Sequence, residues 1–230
     1  NLPDSTLKSE NENAEVFVLC ESIYSMDGDI APLEELAELC SKKGWHLIVD
    51  EAHGVGLAGK EGEGLVAGLE LNDKVFATVV TYGKAFGCAG GMVLSDKRLR
   101  DYLINFSKPF IYSTGPSNIQ VMAVQQAYKI VKNANKEREK IKALKLLFTE
   151  LTGLQSSGQG AIISWLVSGN KEVMDLSIQL EKTGLDIRPI RYPTVAKGTE
   201  RLRISIHAYN TEEEIKLLAA VLNKPSKKKY

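Results

Sequence analysis

Cysteine and histidine are both scarce in this chain, at three residues each among 230. Cys20, Cys40 and Cys88 are odd in number, far apart and in no metal-ligand spacing. That excludes a disulfide scaffold and a zinc module built on cysteine pairs. Net charge is absent as well, with 29 basic residues against 29 acidic ones, so nothing draws the chain to nucleic acid or an anionic membrane. No apolar run approaches the ~20 residues that span a bilayer, and no signal-peptide pattern is read at the start. These absences predict a reduced, soluble, cytoplasmic protein with neither nucleic acid nor membrane as partner. What is present is an ordinary globular complement, 43% hydrophobic, enough for one large domain or two modest ones.

Short apolar runs alternate with helical patterns. Residues 16–20 read as a buried strand. Pro32 then opens a helix with Leu33, Leu36, Ala37, Leu39 and Cys40 on one face, and Gly44 ends it. Strands follow at 46–50, 75–81 and 91–94. This order predicts an α/β fold with a mostly parallel sheet and right-handed crossovers, whose ligand site lies beyond the carboxyl ends of the strands. Asp50 and Thr81 occupy such ends, and Ser25 lies just past the first strand. From Asn118 the pattern changes to two long helices, 118–132 and 136–151, and a Gly/Ser/Gln loop at 153–160. Strand, helix, strand, strand and helix follow at 161–167, 171–184, 186–191, 201–207 and 211–223. We expect two units, a partial large domain over 1–135 and a small two-layer α/β domain over 136–230, with a solvated lysine-rich tail from 224 onward.

Three patterns around the glycines lead away from function. Gly54-Val-Gly56-Leu-Ala-Gly59 formally matches a dinucleotide fingerprint, but Asp50-Glu-Ala-His53 separates it from its strand and a loop follows where a helix is needed. Asp50-Glu51-Ala52-His53 looks like the acidic strand end of a nucleic-acid motor. The two Gly-Lys pairs, Gly59-Lys60 and Gly83-Lys84, are followed by Glu61 and Ala85 rather than a hydroxyl, so no phosphate loop accompanies it. Asp50, Glu51 and His53 with His46 or His207 make only a weak metal set, and no metal is expected.

A lysine and an aspartate remain. Lys84 follows an apolar strand in Thr81-Tyr-Gly-Lys84, with Gly87, Gly90 and Gly91 beyond it. Burial and neighbouring positive charge turn such a lysine into an amine nucleophile, and glycines let the backbone pass close to a flat ligand. Taken alone it also reads as a surface lysine. Asp50, 34 residues earlier at the end of His46-Leu-Ile-Val-Asp50, needs a cationic partner in that poorly solvated place, and a pyridinium nitrogen is one.

Several segments extend this pairing. They are Glu21-Ser-Ile-Tyr-Ser-Met-Asp-Gly-Asp-Ile-Ala-Pro-Leu33, Val49-Asp-Glu-Ala-His-Gly-Val-Gly56 with Gly59, Gly62 and Gly64, and Thr81-Tyr-Gly-Lys84. Ile111-Tyr-Ser-Thr114 and Arg191-Tyr-Pro-Thr194 with Gly198-Thr-Glu-Arg-Leu-Arg203 follow in order. From about Val16 to Leu222 the chain resembles the α-oxoamine synthase family of pyridoxal-phosphate (PLP) enzymes. The resemblance implies the fold type I aminotransferase architecture and homodimers with shared active sites. It also implies a decarboxylating condensation of an amino acid with an acyl thioester, releasing CO2 and CoA. By the same resemblance Lys84 is the Schiff-base lysine, Asp50 pairs with the pyridine nitrogen and His53 hydrogen-bonds the ring O3′. Ser25 contacts the same part of the cofactor, and Thr81 holds its phosphate. Thr114, with Ser113, is the phosphate contact given to the partner subunit. Arg191 binds the substrate carboxylate, with Thr194 beside it.

Within the family the motifs are most like the branch that makes 8-amino-7-oxononanoate from L-alanine and pimeloyl-CoA, or its carrier-protein thioester, in biotin synthesis. The 2-amino-3-ketobutyrate ligase, 5-aminolevulinate synthase and serine palmitoyltransferase branches stay open. Gly115-Pro-Ser117 departs from the family's usual Ser-x-Pro-Pro. The resemblance also implies that an amino-terminal arm and the first half of the large domain lie outside these residues, taking a phosphate-binding glycine turn and a ring-stacking histidine with them. A sheet lacking those strands would expose an apolar edge. A non-catalytic fragment that keeps the fold is therefore a second expectation.

Overall fold

The computed structural model describes residues 14–154 and 160–224. The expectations for the polar start, for 155–159 of the Gly/Ser/Gln loop and for the lysine tail beyond 224 lie outside the described residues.

Four strands form the first sheet: β1 (Phe17–Glu21), β2 (His46–Asp50), β3 (Ala77–Thr81) and β4 (Gly91–Ser95), in the order β1-β2-β3-β4. The first three are parallel, with Glu21 beside Asp50 and Asp50 beside Val79. β4 returns antiparallel, setting Gly91 against Thr81. The parallel register brings the carboxyl ends of β1, β2 and β3 to one edge, where the sequence placed the site. Helix α1 (Leu33–Lys43) makes the β1–β2 crossover. Its buried residues Leu33, Leu36, Ala37 and Cys40 follow helical spacing, and Gly44 stops it in the left-handed conformation at φ 68°. They pack with Leu47 and Val49 of β2 and with Ile23, Leu65 and Val66. Each fully buried aliphatic side chain there contributes about 1.5–3 kcal/mol.

One turn of helix, α2 (Leu65–Gly68), precedes β3. Beyond β4 come α3 (Lys97–Phe106), α4 (Lys108–Ile111), α5 (Asn118–Lys132) and α6 (Asn135–Thr152). A capping box of Ser117 with Gln120 starts α5. The second sheet has β5 (Ile162–Leu166), β6 (Pro189–Ile190) and β7 (Arg201–Ser205) in the antiparallel order β5-β7-β6, with α7 (Asn170–Glu181) and α8 (Glu212–Leu222). Phe148 of α6 is fully buried in its core among Ile163, Leu180, Leu202 and Leu218.

Two expectations change. The strand read at 186–191 shortens to two residues, because it lies at the sheet edge and Pro189 has no N–H to donate. The stretch between β4 and Asn118 carries α3 and α4, which the apolar pattern had not shown; neither helix has a buried residue. Asp96 still caps α3 by accepting from the Leu99 amide at 2.8 Å. In the described residues no helix is long and apolar enough to cross a membrane.

Glu51, considered above as a metal ligand, points inward instead and is 1% exposed. Ser22 Oγ donates to its Oε2 and the Val66 amide to its Oε1, both at 2.6 Å. Burial nonetheless pushes its carboxyl above the ordinary value of 4.5. The folded chain then holds this proton more tightly than the unfolded chain. The stabilisation is complete below the ordinary value and is lost as pH rises through the folded one. Urea midpoints of the wild type relative to Glu51→Gln should therefore fall as pH rises above the ordinary value of 4.5; a pH-independent difference would show that Glu51 is not so perturbed. Glu51→Ala should cost about 2 kcal/mol by stranding the Ser22 hydroxyl and the Val66 N–H.

Candidate active site

The edge of the first sheet carries two tight turns, one after β2 and one after β3. In the first, Asp50 ends the strand half-buried, and its Oδ1 accepts from the Ala52 amide at 2.7 Å. The amides of Gly54 and Val55 both donate to the Glu51 carbonyl at 3.0 Å, which bends the chain back and leaves His53 at the turn's crest. Gly54 is required there: a Cβ would stand 1.8 Å from Glu51 Oε2. In the second turn, the Gly87 amide donates to the Lys84 carbonyl at 3.0 Å and the Cys88 amide to the Tyr82 carbonyl at 2.8 Å. Tyr82 and Phe86 are buried on either side and pack edge-on with each other and with Tyr128 of α5. Anchored at both shoulders, the turn presents Lys84 outward, so Lys84 is exposed and the burial expected of it is not met.

Both turns open on a cleft of about 670 Å³ between the two sheets. His53, Lys84, Gly56, Arg203, Ser205 and His207 are among the residues that line it. The His53 imidazole is pushed down to about 4, chiefly by burial, then by the cations of Lys84 and Arg203, with Asp50 pulling the other way. Four ionisable side chains from β2, β3 and β7 and the turns after them thus share one electrostatic neighbourhood, and His53 is neutral within it.

Arg203 was quoted in a motif but given no role. The signal that could have marked it is the alternation Arg201-Leu202-Arg203 on a strand, which puts two cations on the face opposite the buried Leu202. Both reach across to the first sheet. Arg201 is 9% exposed and forms an ion pair with Asp27. Arg203 donates from Nε to the Ser25 carbonyl at 2.6 Å.

The other expected residues divide into two groups. Thr81 Oγ1, at the end of β3, is buried with no hydrogen-bond partner among the described residues. Buried hydroxyls are rarely left unpaired, so this one is available to a bound group. Ser25 lies on a smaller hollow of about 210 Å³ with Glu21 and Asp27, and its amide donates to Glu21 Oε2 at 3.0 Å. Neither Ser25 nor Thr81 nor Asp50 is among the residues lining the main cleft. Thr114 follows α4 on an exposed stretch, next to Ser113, whose Oγ donates to the Phe110 carbonyl at 3.2 Å. Arg191 and Thr194 are exposed on the loop between β6 and β7, also outside the cleft. Among the described residues no group of three or more His, Cys, Asp or Glu side chains could hold a metal.

Known proteins with this geometry can now be compared. The chain is 35% identical over 216 residues to the 8-amino-7-oxononanoate synthase of Vibrio cholerae, a match covering 92% of this chain and 55% of the relative. The structure superposes on 8-amino-7-oxononanoate synthase from Francisella tularensis with a TM-score of 0.81 at 28% identity, covering 92% of this chain and 63% of that one. It also superposes on an SPT structure solved with PLP, TM-score 0.83 at 25% identity, covering 92% and 55%. The fold is therefore the type I fold of PLP-dependent aminotransferases, with a mixed and mostly parallel large sheet, and the chain spans about half the length of the curated relatives it matches. The model of the family described as aminotransferase class I and II matches residues 4–222, running through both sheets and the cleft between them, and the chain belongs to that family.

Proposed function

We propose that this chain carries the lysine-bearing part of a PLP-dependent α-oxoamine synthase active site, of the kind that makes 8-amino-7-oxononanoate. The reaction condenses L-alanine with pimeloyl-CoA or a pimeloyl-carrier protein, in biotin synthesis, releasing CO2 and CoA. The observation that carries this reading is the meeting of Lys84, His53 and Arg203 around one cleft, with Asp50 near enough to act on His53, in a chain 35% identical to such a synthase.

The residues present fit the cofactor. Lys84 offers an exposed amine, Asp50 a carboxylate at a strand end, and Thr81 a buried hydroxyl that lacks a partner. PLP, when bound, supplies an electron sink for a carbanion at the amino acid's Cα. Lys84 Nζ attaches the cofactor and, once displaced by the amino acid, accepts the Cα proton. Asp50 keeps the pyridine nitrogen protonated. His53, neutral in this setting, is free to accept or donate a hydrogen bond at the ring oxygen without adding a third cation beside Lys84 and Arg203. Thr81 takes the phosphate, and Ser25 holds Arg203 through its carbonyl. The resemblance gave the substrate carboxylate to Arg191 and Thr194; we assign it to Arg203, the guanidinium that lines the cleft.

The remaining elements are placed on the same reading. α3, α4 and the start of α5 expose Tyr102, Phe106, Phe110, Tyr112, Ile119 and Met122, an apolar shelf suited to a subunit interface. We place a homodimer contact there, with Thr114 reaching a partner's cofactor phosphate. The chain divides at 135/136, where α6 begins and joins the second core, and the enzyme works in the cytoplasm. The chain spans about half of its relatives' length, and a non-catalytic scaffold of the same fold is the alternative reading.

Three measurements test this reading. Incubation with PLP followed by borohydride should fix the cofactor on the peptide containing Lys84, and Lys84→Ala should take up none. An adduct spread over surface lysines, or absent, would favour the non-catalytic scaffold. In the PLP-loaded chain, titration with L-alanine should show binding weakened about tenfold or more by Arg203→Gln and about threefold or less by Arg191→Gln. The reverse ranking would return the carboxylate to Arg191. His53 should titrate near 4 by NMR and move up toward 6.5 in Lys84→Ala. Since folding lowers this pKa, the unfolded chain binds the extra proton between about 4 and 6.5, and stability rises with pH across that window.

A further inference from the structure

Arg138 stands near the start of α6 and is only 5% exposed. Its Nη1 donates to the Val131 carbonyl at 2.7 Å. Its Nη2 donates to the Lys132 carbonyl at 3.4 Å, to the Lys60 carbonyl at 3.5 Å, and to Asn135 Oδ1. Val131 and Lys132 close α5, where carbonyls lack intrahelical donors and the helix dipole is negative, so the guanidinium is well placed to satisfy them. A lone helix cap, however, does not call for a fork buried this deeply, nor for a reach of 78 residues back to Lys60.

Beyond the guanidinium lies a run of contacts without slack. Gly62 sits directly against it, since a Cβ there would stand 2.9 Å from Nη1. The Gly62 carbonyl accepts from the Gly56 amide at 2.7 Å. Gly56 has no room for a side chain either: its Cβ would lie 2.3 Å from the Cβ of Ala85 and 3.9 Å from Val131 Cγ1. Both glycines have positive φ, 78° and 86°, a conformation that also excludes most other residues. Ala85 is the neighbour of Lys84. Close-packed contacts transmit displacement, and here they run from Arg138 through Gly62 and Gly56 to the turn that presents the amine.

We infer that Arg138 is a positioning residue for Lys84, holding the 56–62 loop against Ala85 and so setting where the Lys84 amine stands in the cleft. Only the use made of that amine rests on the functional reading above. A misplacement of about 1 Å at a reacting group can cost about a hundredfold in rate, which gives a clasp in the wall of the same cleft its importance.

The test needs variants at both ends of the run. Arg138→Lys keeps the charge but loses the planar fork, and Arg138→Gln keeps a donor without the charge. Ala85→Gly opens the far end without touching Arg138. The readout is the His53 titration by NMR in the chain without cofactor, because Lys84 is one of the two cations beside that ring and Arg138 is not. Whichever Arg138 variant keeps the wild-type circular dichroism, and Ala85→Gly as well, should raise the His53 midpoint by about half a unit. Each should also weaken PLP uptake at Lys84 about tenfold. A merely structural clasp would lower the melting temperature and leave the His53 midpoint where it is. An unmoved midpoint in a folded Arg138 variant overturns the inference, and so does an unmoved midpoint in Ala85→Gly, even if both Arg138 variants unfold. Should the wild-type chain take up no PLP, the functional reading fails, while the His53 midpoints still judge the role of Arg138.

Discussion

The buried carboxylate of Glu51 is the constraint on which the site depends. It accepts from the Ser22 hydroxyl just past β1 and from the Val66 amide at the start of α2, so the segments that follow β1 and β2 are tied at one point to the helix that leads toward β3. Successive residues of an extended chain face opposite ways. With Glu51 drawn inward, Asp50 on one side and the His53 turn on the other are left at the edge where the cleft opens. The glycines on either side, Gly54 and Gly64, admit this carboxylate because a Cβ on either would collide with it. A carboxylate buried this way is costly to leave unpaired, and two short hydrogen bonds make it a rigid pin.

The second sheet completes what this pin begins. Arg201 and Arg203 extend from one face of β7 to Asp27 and to the Ser25 carbonyl, both on the segment that follows β1. These contacts hold the small sheet against the large one and deliver a guanidinium to the cleft in the same stroke. Burial, and then the two cations Lys84 and Arg203, keep His53 neutral. An anionic ligand arriving between them would find its counter-charges in place and a neutral hydrogen-bonding ring beside them. Preorganised charge of this sort needs no rearrangement on binding.

Much of the fold was legible because its signals are local. Pro32, the spacing of Leu33, Leu36, Ala37 and Cys40, and Gly44 give α1 its start, face and end without reference to the rest of the chain. The positions of Asp50 and Lys84 at the sheet edge were legible because Asp50 ends an apolar strand and Lys84 follows one three residues past Thr81. Other features depend on packing that one sequence does not display. Asp50 and Glu51 are adjacent acids, and which one turns inward is decided by where Ser22 and Val66 arrive. Three arginines occur within 13 residues, and only the register of β7 between β5 and β6, with the seating of one sheet on the other, puts Arg203 rather than Arg191 in the cleft. α3 escaped notice because its apolar residues bury nothing within this chain, so the usual agreement between pattern and burial is missing.

The glycines show how one sequence pattern can serve different physics. Gly54, Gly56 and Gly59 match the spacing of a dinucleotide-binding turn, in which missing side chains let backbone approach a pyrophosphate. Here the same absence lets backbone approach protein: Gly54 meets Glu51, Gly59 meets Glu63, and Gly56 meets Ala85. The phosphate-binding form needs the glycines to open a helix, whose amino end supplies free N–H groups. In this chain the Gly56 and Gly64 amides are spent on the carbonyls of Gly62 and Ala58, so the loop has closed on itself and offers those donors to no ligand. Its function is to transmit position. Read with Arg138 at one end and Lys84 at the other, the glycine-rich stretch is a spacer of fixed length, and its lack of side chains is what keeps that length short.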